Sequence, residues 1–77
     1  MELKDLINFL NKLENNNIFY KLNKVRNDAI MVEIAVPGQR WEIEFMADGT
    51  IEIEKFIGDA NFYDGQEIEV LFRDFSD

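Results

Sequence analysis

Closely spaced glutamates are the side chains in this sequence best suited to bind or react. Two Glu-x-Glu pairs occur, Glu42 with Glu44 and Glu52 with Glu54. Paired carboxylates can exchange a proton in glycoside hydrolysis, ligate a hard cation such as Ca²⁺ or Mg²⁺, or attract a basic partner. The chain has no Cys and no His. Thiolate nucleophiles, the commonest general base and the commonest transition-metal ligand are therefore absent, and catalysis would have to rest on carboxylates, Lys or Tyr.

Length and charge narrow the classes of function. The chain has 77 residues, of which 47% are hydrophobic, and a formal net charge of −8. This length suits one globular domain, residues 1–77, with a small core. A protein this acidic is a poor ligand for nucleic acid and is repelled by anionic membranes. Residues 1–14 lack the continuous apolar run of a signal peptide, and no stretch approaches a membrane span.

Two helices are predicted, one near each end of the chain. Residues 2–14 follow the spacing of an amphipathic helix, with an apolar stripe of Leu3, Leu6, Ile7, Phe9, Leu10 and Leu13. The run 15–17 is all Asn, which tolerates the left-handed conformation of a helix C-cap and should end this helix. The pattern of residues 66–75 predicts a second helix. Asp64 is its predicted N-cap, and Glu67 completes a capping box. Its buried stripe would be Ile68, Leu71, Phe72 and Phe75.

Between the helices the pattern changes to that of β-strands. Strands are predicted at residues 18–25, 29–36, 40–46 and 50–57, and residues 58–65 read as a loop. Pro37-Gly38 makes one turn, and the three-residue loop Ala47–Gly49 makes another, with Gly49 at positive φ. Short loops favour an antiparallel meander. Strands in which apolar and polar residues alternate leave one face of the sheet exposed to solvent. We predict a two-layer α+β domain, α-β-β-β-β-α, with both helices on the apolar face.

Strand register follows from the need to keep one face of the sheet buried. The two turns above then oppose glutamate to glutamate across neighbouring strands. The outer face of the predicted sheet carries one row of Glu33, Glu42 and Glu54, and a second row of Met31, Glu44 and Glu52. On this register no cation lies between the five carboxylates, although Lys21, Lys24 or Arg40 could neutralise part of the patch.

The glutamate rows admit four interpretations. The first is a solvated surface that also discourages edge pairing, and the second is a docking face for a basic partner. The third is a metal site, and the fourth is a catalytic carboxylate pair. A flat sheet wraps an ion poorly, and it offers no pocket to raise the pKa of an acid. We therefore expect no metal, no cofactor and no enzyme activity, which leaves the solvated surface and the docking face open.

Other residues have a structural and a functional interpretation. Trp41 shares the inner face, so core packing is expected, with partner binding as the alternative. Arg40 would border the acidic rows as the one counter-charge. For the first strand, a three-residue loop that buries Tyr20 and Leu22 and sets Lys21 opposite Glu33 is preferred to a two-residue turn that would bury Lys and Asn. The aromatic residues Phe56, Phe62 and Tyr63 are expected to cover the core edge, with an interface role as the alternative.

A resemblance is carried by residues 29–45, AIMVEIAVPGQRWEIEF, followed by Asp48-Gly49 and the Ile-Glu-Ile-Glu run 51–54. They resemble short acidic bacterial proteins of immunity and antitoxin style, whose strands often end in a W-x-x-x-F…D-G pattern. The resemblance covers about half of the chain. It implies a bacterial cytoplasmic protein that binds and blocks a basic toxin or nuclease, and it implies no catalytic residue.

The sequence thus predicts a non-catalytic protein-binding module, an acidic inhibitor whose partner is a basic protein such as a toxin or a nucleic-acid-binding protein. The predicted partner-binding residues are Glu33, Glu42, Glu44, Glu52, Glu54, Met31 and Arg40. The alternative is a small structural or regulatory domain that self-associates, through its edge strands or through Met31, Ala35 and Met46 on the outer face. The expected state is a monomer or a weak homodimer.

Overall fold

The chain folds as a helix, an antiparallel meander and a second helix, as predicted. The computed structural model describes residues 2–56, 62–63 and 67–75. Its elements are α1 (Leu3–Asn15), β1 (Phe19–Asn23), β2 (Ala29–Val36), β3 (Gln39–Met46), β4 (Ile51–Phe56), β5 (Phe62–Tyr63) and α2 (Glu67–Phe75). The strands pair in sequence order. The two-residue β5 lies inside the segment predicted as a loop. In the described part of the chain, neither helix has the length and apolarity needed to cross a bilayer.

Helix α1 begins and ends at polar residues that satisfy its terminal backbone groups. The Glu2 N–H donates to Asp5 Oδ2 at 2.9 Å. At the other end Asn17 takes a left-handed φ of 58°, and the Ile18 N–H donates to the Leu13 carbonyl at 2.9 Å. With the Asn17 N–H, which donates to the Glu14 carbonyl at 3.1 Å, this hydrogen bond defines a Schellman end. The predicted termination by asparagine is confirmed, whereas the predicted Asp64 cap of α2 lies outside the described residues.

The core lies between the inner face of the sheet and both helices. The buried cluster comprises Leu13, Ile18, Val32, Ile34, Trp41, Ile43, Phe45, Ile53, Leu71 and Phe72. Phe9 joins the layers, with its ring centroid 5.3 Å from that of Phe45 on β3 and 5.9 Å from that of Phe72 on α2. The predicted stripe of α1 is too wide, because Leu3 and Ile7 are 71% and 47% exposed.

The strand register agrees with the sequence-based prediction. Glu33 pairs with Glu42 between β2 and β3, and Glu42 pairs with Glu54 between β3 and β4. Lys21 pairs with Glu33, which confirms the preferred register of β1. One prediction about this strand is wrong: Leu22 is 54% exposed although it belongs to the inner face. Strand β1 is the edge of the sheet, and the helices leave this end of it uncovered.

Lys55 is a buried cation on the inner face. The alternation of β4, which ends at Phe56, turns Lys55 inward together with Ile53, and Lys55 is 6% exposed. Its Nζ lies 4.6 Å from the Trp41 ring and forms an ion pair with Glu67 of α2. Trp41 is 0% exposed and its Nε1 donates to Gln39, so its core role is confirmed.

Strand β4 also corrects the predicted role of Phe56. Phe56 points to the outer face, where the Arg40 guanidinium lies 4.4 Å from its ring, so it does not cover the core edge. The side chains of Phe62 and Tyr63 lie outside the described residues.

Replacing one partner of the buried ion pair should destabilise the fold more than replacing both. Glu67→Gln removes the carboxylate that pairs with the buried Lys55 ammonium, and we expect a loss of roughly 2 kcal/mol in unfolding free energy. Adding Lys55→Met to Glu67→Gln should recover at least half of that loss, because Met keeps the contact with Trp41 without a charge. Urea unfolding of the two single variants and the double variant measures this cycle. If the losses of the two single variants simply added in the double variant, the coupling between Lys55 and Glu67 would be contradicted.

Tyr20 should link the stability of the fold to alkaline pH. Its hydroxyl donates to Glu14 of α1 at 2.6 Å, and this hydrogen bond, followed by desolvation and the carboxylate charge, raises the pKa of Tyr20 above its ordinary 10.0. A raised folded-state pKa stabilises the fold below the unfolded value, and the stabilisation disappears as pH rises through the folded value. The unfolding free energy lost in Tyr20→Phe should therefore be constant below pH 10 and shrink above it. Titration by ultraviolet absorbance should show the raised pKa of Tyr20, and the control Glu14→Ala should move this pKa back toward its ordinary value.

Candidate partner-binding face

The five glutamates predicted to share one face do share it. Residues on β2, β3 and β4 alternate between the buried face and the open face, and cross-strand partners point the same way. We call the following set the acidic face: Met31, Glu33, Glu42, Glu44, Glu52 and Glu54. Its first row continues to Lys21 of β1, and its second row continues to Asn23. The core packing on the other side of the sheet therefore fixes where these carboxylates lie.

The prediction that no cation lies between the carboxylates is wrong. Arg26, in the loop between β1 and β2, reaches over the face and places Nη2 3.0 Å from Glu44 Oε1 and 3.3 Å from Glu52 Oε2. The register argument considered only strand positions, so a long side chain from a loop escaped it. In the sequence, only the length of the three-residue loop could have indicated this contact, because that length sets Arg26 beside the second row. Lys24, the other loop cation, instead donates to the carbonyls of Arg26 and Asn27.

The acidic face is indented. Glu42, Glu44, Glu52 and Glu54, with Met31 and Arg26, line an open depression of about 170 Å³. Glu44 lies deepest and is 9% exposed, whereas the Glu52 side chain is 53% exposed. A carboxylate this buried needs a partner, and the guanidinium of Arg26 supplies one.

Arg40 borders the other side of the face, as predicted, though it is not the one counter-charge. Its Nη2 lies 3.8 Å from Glu42 Oε2, at the long end of an ion-pair distance, and its plane covers Phe56. Five glutamates and the cations Arg26, Arg40 and Lys21 leave this side of the sheet with a formal charge of −5 + 3 = −2. The local charge is smaller than the sequence suggested, because these three cations offset part of it.

The first row contains the least compensated carboxylates. Among the described residues, neither Glu33 nor Glu54 forms an ion pair within 4.0 Å. Glu42 stands between them and faces both across the strands. Like charges opposed on a sheet repel, so this row is where an added cation would gain most.

The chemistry available to the acidic face is cation binding by side-chain oxygens. In residues 2–56, 62–63 and 67–75, no three acidic side chains converge into a set that could hold a metal ion. The outer-face apolar residues predicted to accompany the glutamates are only partly available: Ala35 is exposed, while Met31 and Met46 are half-buried. A partner would therefore meet carboxylates first and apolar groups at the margin.

Comparison with known proteins finds no family model, no curated protein and no solved structure that matches the chain. The resemblance to immunity and antitoxin proteins therefore stays a prediction from the residues.

Removing Arg26 should expose the repulsion that it now offsets. Arg26→Gln leaves the buried Glu44 carboxylate beside Glu52 without its cation, and we expect a loss of about 1 kcal/mol in unfolding free energy at low salt. The loss should shrink at about 1 M NaCl, where charges are screened. Lys24→Gln is the matched control, because it removes an equal charge from the same loop without touching a glutamate. Equal effects of the two variants in urea unfolding would contradict this role of Arg26.

Proposed function

We propose that the protein is a non-catalytic binding module, an acidic inhibitor of immunity or antitoxin type, whose acidic face docks a basic protein. The observation that carries the proposal is the position of Arg26, whose guanidinium lies between two carboxylates of the face. At this position the chain itself carries a guanidinium, which is the kind of group that a basic partner would supply. Arginine suits such recognition because its planar fork matches carboxylate oxygens and is weakly hydrated.

The first row supplies the open positions for the partner's cations. Glu33, Glu42 and Glu54 lie side by side, and only Glu42 has a described counter-ion, at 3.8 Å. A partner that inserts Lys or Arg side chains between them would replace repulsion by attraction. Binding would thus be strengthened by the relief of repulsion already present in the free protein.

The net charge favours partners that normally hold nucleic acid. A net charge of −8 attracts a cationic surface over several ångströms and raises the association rate at low salt. Surfaces rich in Lys and Arg are the ones that neutralise phosphates, so a nuclease, a toxin or a nucleic-acid-binding protein is the class of partner proposed. The location that goes with this proposal is the bacterial cytoplasm, as the resemblance implies.

Self-association through the same face is disfavoured by its composition. A face-to-face dimer would bring five glutamates of one copy against five of the other, with few apolar groups between them. Such an interface would desolvate like charges near neutral pH. The acidic face is therefore assigned to a basic partner.

A matched pair of triple variants tests the proposal. Glu33→Gln, Glu42→Gln and Glu54→Gln remove the first row, whereas Glu14→Gln, Glu69→Gln and Asp74→Asn remove three exposed carboxylates from the helices. Each triple changes the net charge from −8 to −5. Proteins captured from source-cell lysate by the native chain would be identified by mass spectrometry, and the dissociation constant of the purified partner would then be measured for all three baits.

The first-row variant should weaken binding by about a hundredfold, and the helix variant by less than tenfold. Binding of the native chain should also weaken as salt is raised. Circular dichroism would verify that each bait is folded. Equal binding by the native and first-row baits, or equal losses in the two triples, would overturn the acidic face as the docking site.

A further inference from the structure

Among the described residues, the exposed large apolar side chains gather at one edge of the sheet, with Phe56 of β4 as the exception. Phe19 and Leu22 on β1, and Val25 just after it, are 66%, 54% and 64% exposed. Leu3 and Ile7 of α1 are also exposed. Ile7 lies two helical turns before Glu14, which accepts the hydrogen bond from Tyr20 of β1, so this side of the helix faces the same edge. We call these five residues the edge patch.

Strand β1 offers an unpaired backbone beside the edge patch. Within the part of the chain that the structure describes, it is the first strand of the sheet and pairs only with β2. Natural edge strands are usually protected by charges, Pro, bulges or a covering element. The sequence of β1, FYKLN, contains no Pro and a single charge, Lys21. The strand is therefore open to a further antiparallel partner.

We propose that a second copy of this chain pairs with β1, antiparallel, about a two-fold axis at Leu22. In this register Leu22 lies opposite Leu22 of the partner subunit, and Phe19 lies opposite Val25 of the partner subunit. By symmetry each exposed apolar side chain of the segment 19–25 meets an apolar one. Lys21 lies opposite Asn23 of the partner subunit, so no like charges are opposed.

The neighbouring symmetric register is less favourable. A two-fold axis at Lys21 would oppose this lysine to its own copy and would set Phe19 against Asn23 of the partner subunit. Like charges directly opposite on a sheet are destabilising, and an aromatic ring gains little from an amide. The self-complementary pattern of residues 19–25 thus selects one register and one kind of occupant, a second copy.

The dimer would keep both acidic faces available. Residues opposed in an antiparallel pair point to the same side, so the two sheets would become one with both acidic faces on that side. Each copy carries a charge of −8, so the copies repel at long range and salt should strengthen their association. Docking of a basic partner has the opposite salt dependence, and either proposal can therefore fail without the other.

Cross-linking tests the register directly, because the native chain has no cysteine. In the proposed dimer, opposed Cα atoms are about 4.5–5.5 Å apart, which allows Leu22→Cys to form a disulfide across the axis. The Lys21→Cys pair would be offset by two residues along the strands and separated by roughly 8 Å, too far to bridge. Mild oxidation at matched protein concentration should cross-link only Leu22→Cys. Preferential cross-linking of Lys21→Cys would overturn the register.

Sedimentation from micromolar to millimolar concentration tests the dimer without an engineered bond. The native chain should dimerise with an affinity that rises with salt. Leu22→Lys would oppose two new charges at the axis and should raise the dissociation constant by about tenfold or more. Asn8→Lys adds the same charge on α1 outside the edge patch and should leave the dimer intact. A native chain that stays monomeric at millimolar concentration in high salt would overturn the proposal.

Discussion

Three glutamate pairs face each other across β2, β3 and β4, and the packing of the opposite side of the sheet holds them in place. Moving β3 or β4 by one residue would separate the pairs, but it would also turn Trp41, Ile43 or Ile53 into water. Each of these side chains contributes about 1.5–3 kcal/mol by burial, whereas an opposed pair of charges costs up to about 1 kcal/mol. Burial of the core therefore outweighs the repulsion between the glutamates, and it determines where the acidic face lies.

The two cations that meet this sheet show how burial decides their role. Lys55 is enclosed between Trp41 and Glu67 on the inner face, where its charge is compensated within the fold. Arg26 lies on the open face, with about half of its side chain exposed, and it comes from a loop. A partner's cation could compete with Arg26, but not with Lys55. The open face is thus the place where a partner's cationic side chain could replace one of this chain.

Period-two patterning and turn chemistry were sufficient to predict the element order, the register and the membership of the acidic face. They could not predict Arg26, because a loop residue has no fixed face. The burial of Lys55 was not predicted, although the alternation of β4 places it on the same face as Ile53. The exposure of Leu3, Ile7 and Leu22 was missed because a helical stripe does not reveal how far a helix covers an edge strand.

The central claim is that the first row, Glu33, Glu42 and Glu54, is the preferred site for a partner's cations. Amide chemical shifts of the native chain, followed by NMR while an arginine-rich peptide is added, test it most directly. We predict saturable shifts concentrated at these three residues and their strand neighbours, weakening as salt is raised. Shifts spread evenly over the acidic residues of α1 and α2, or no saturation, would contradict the claim.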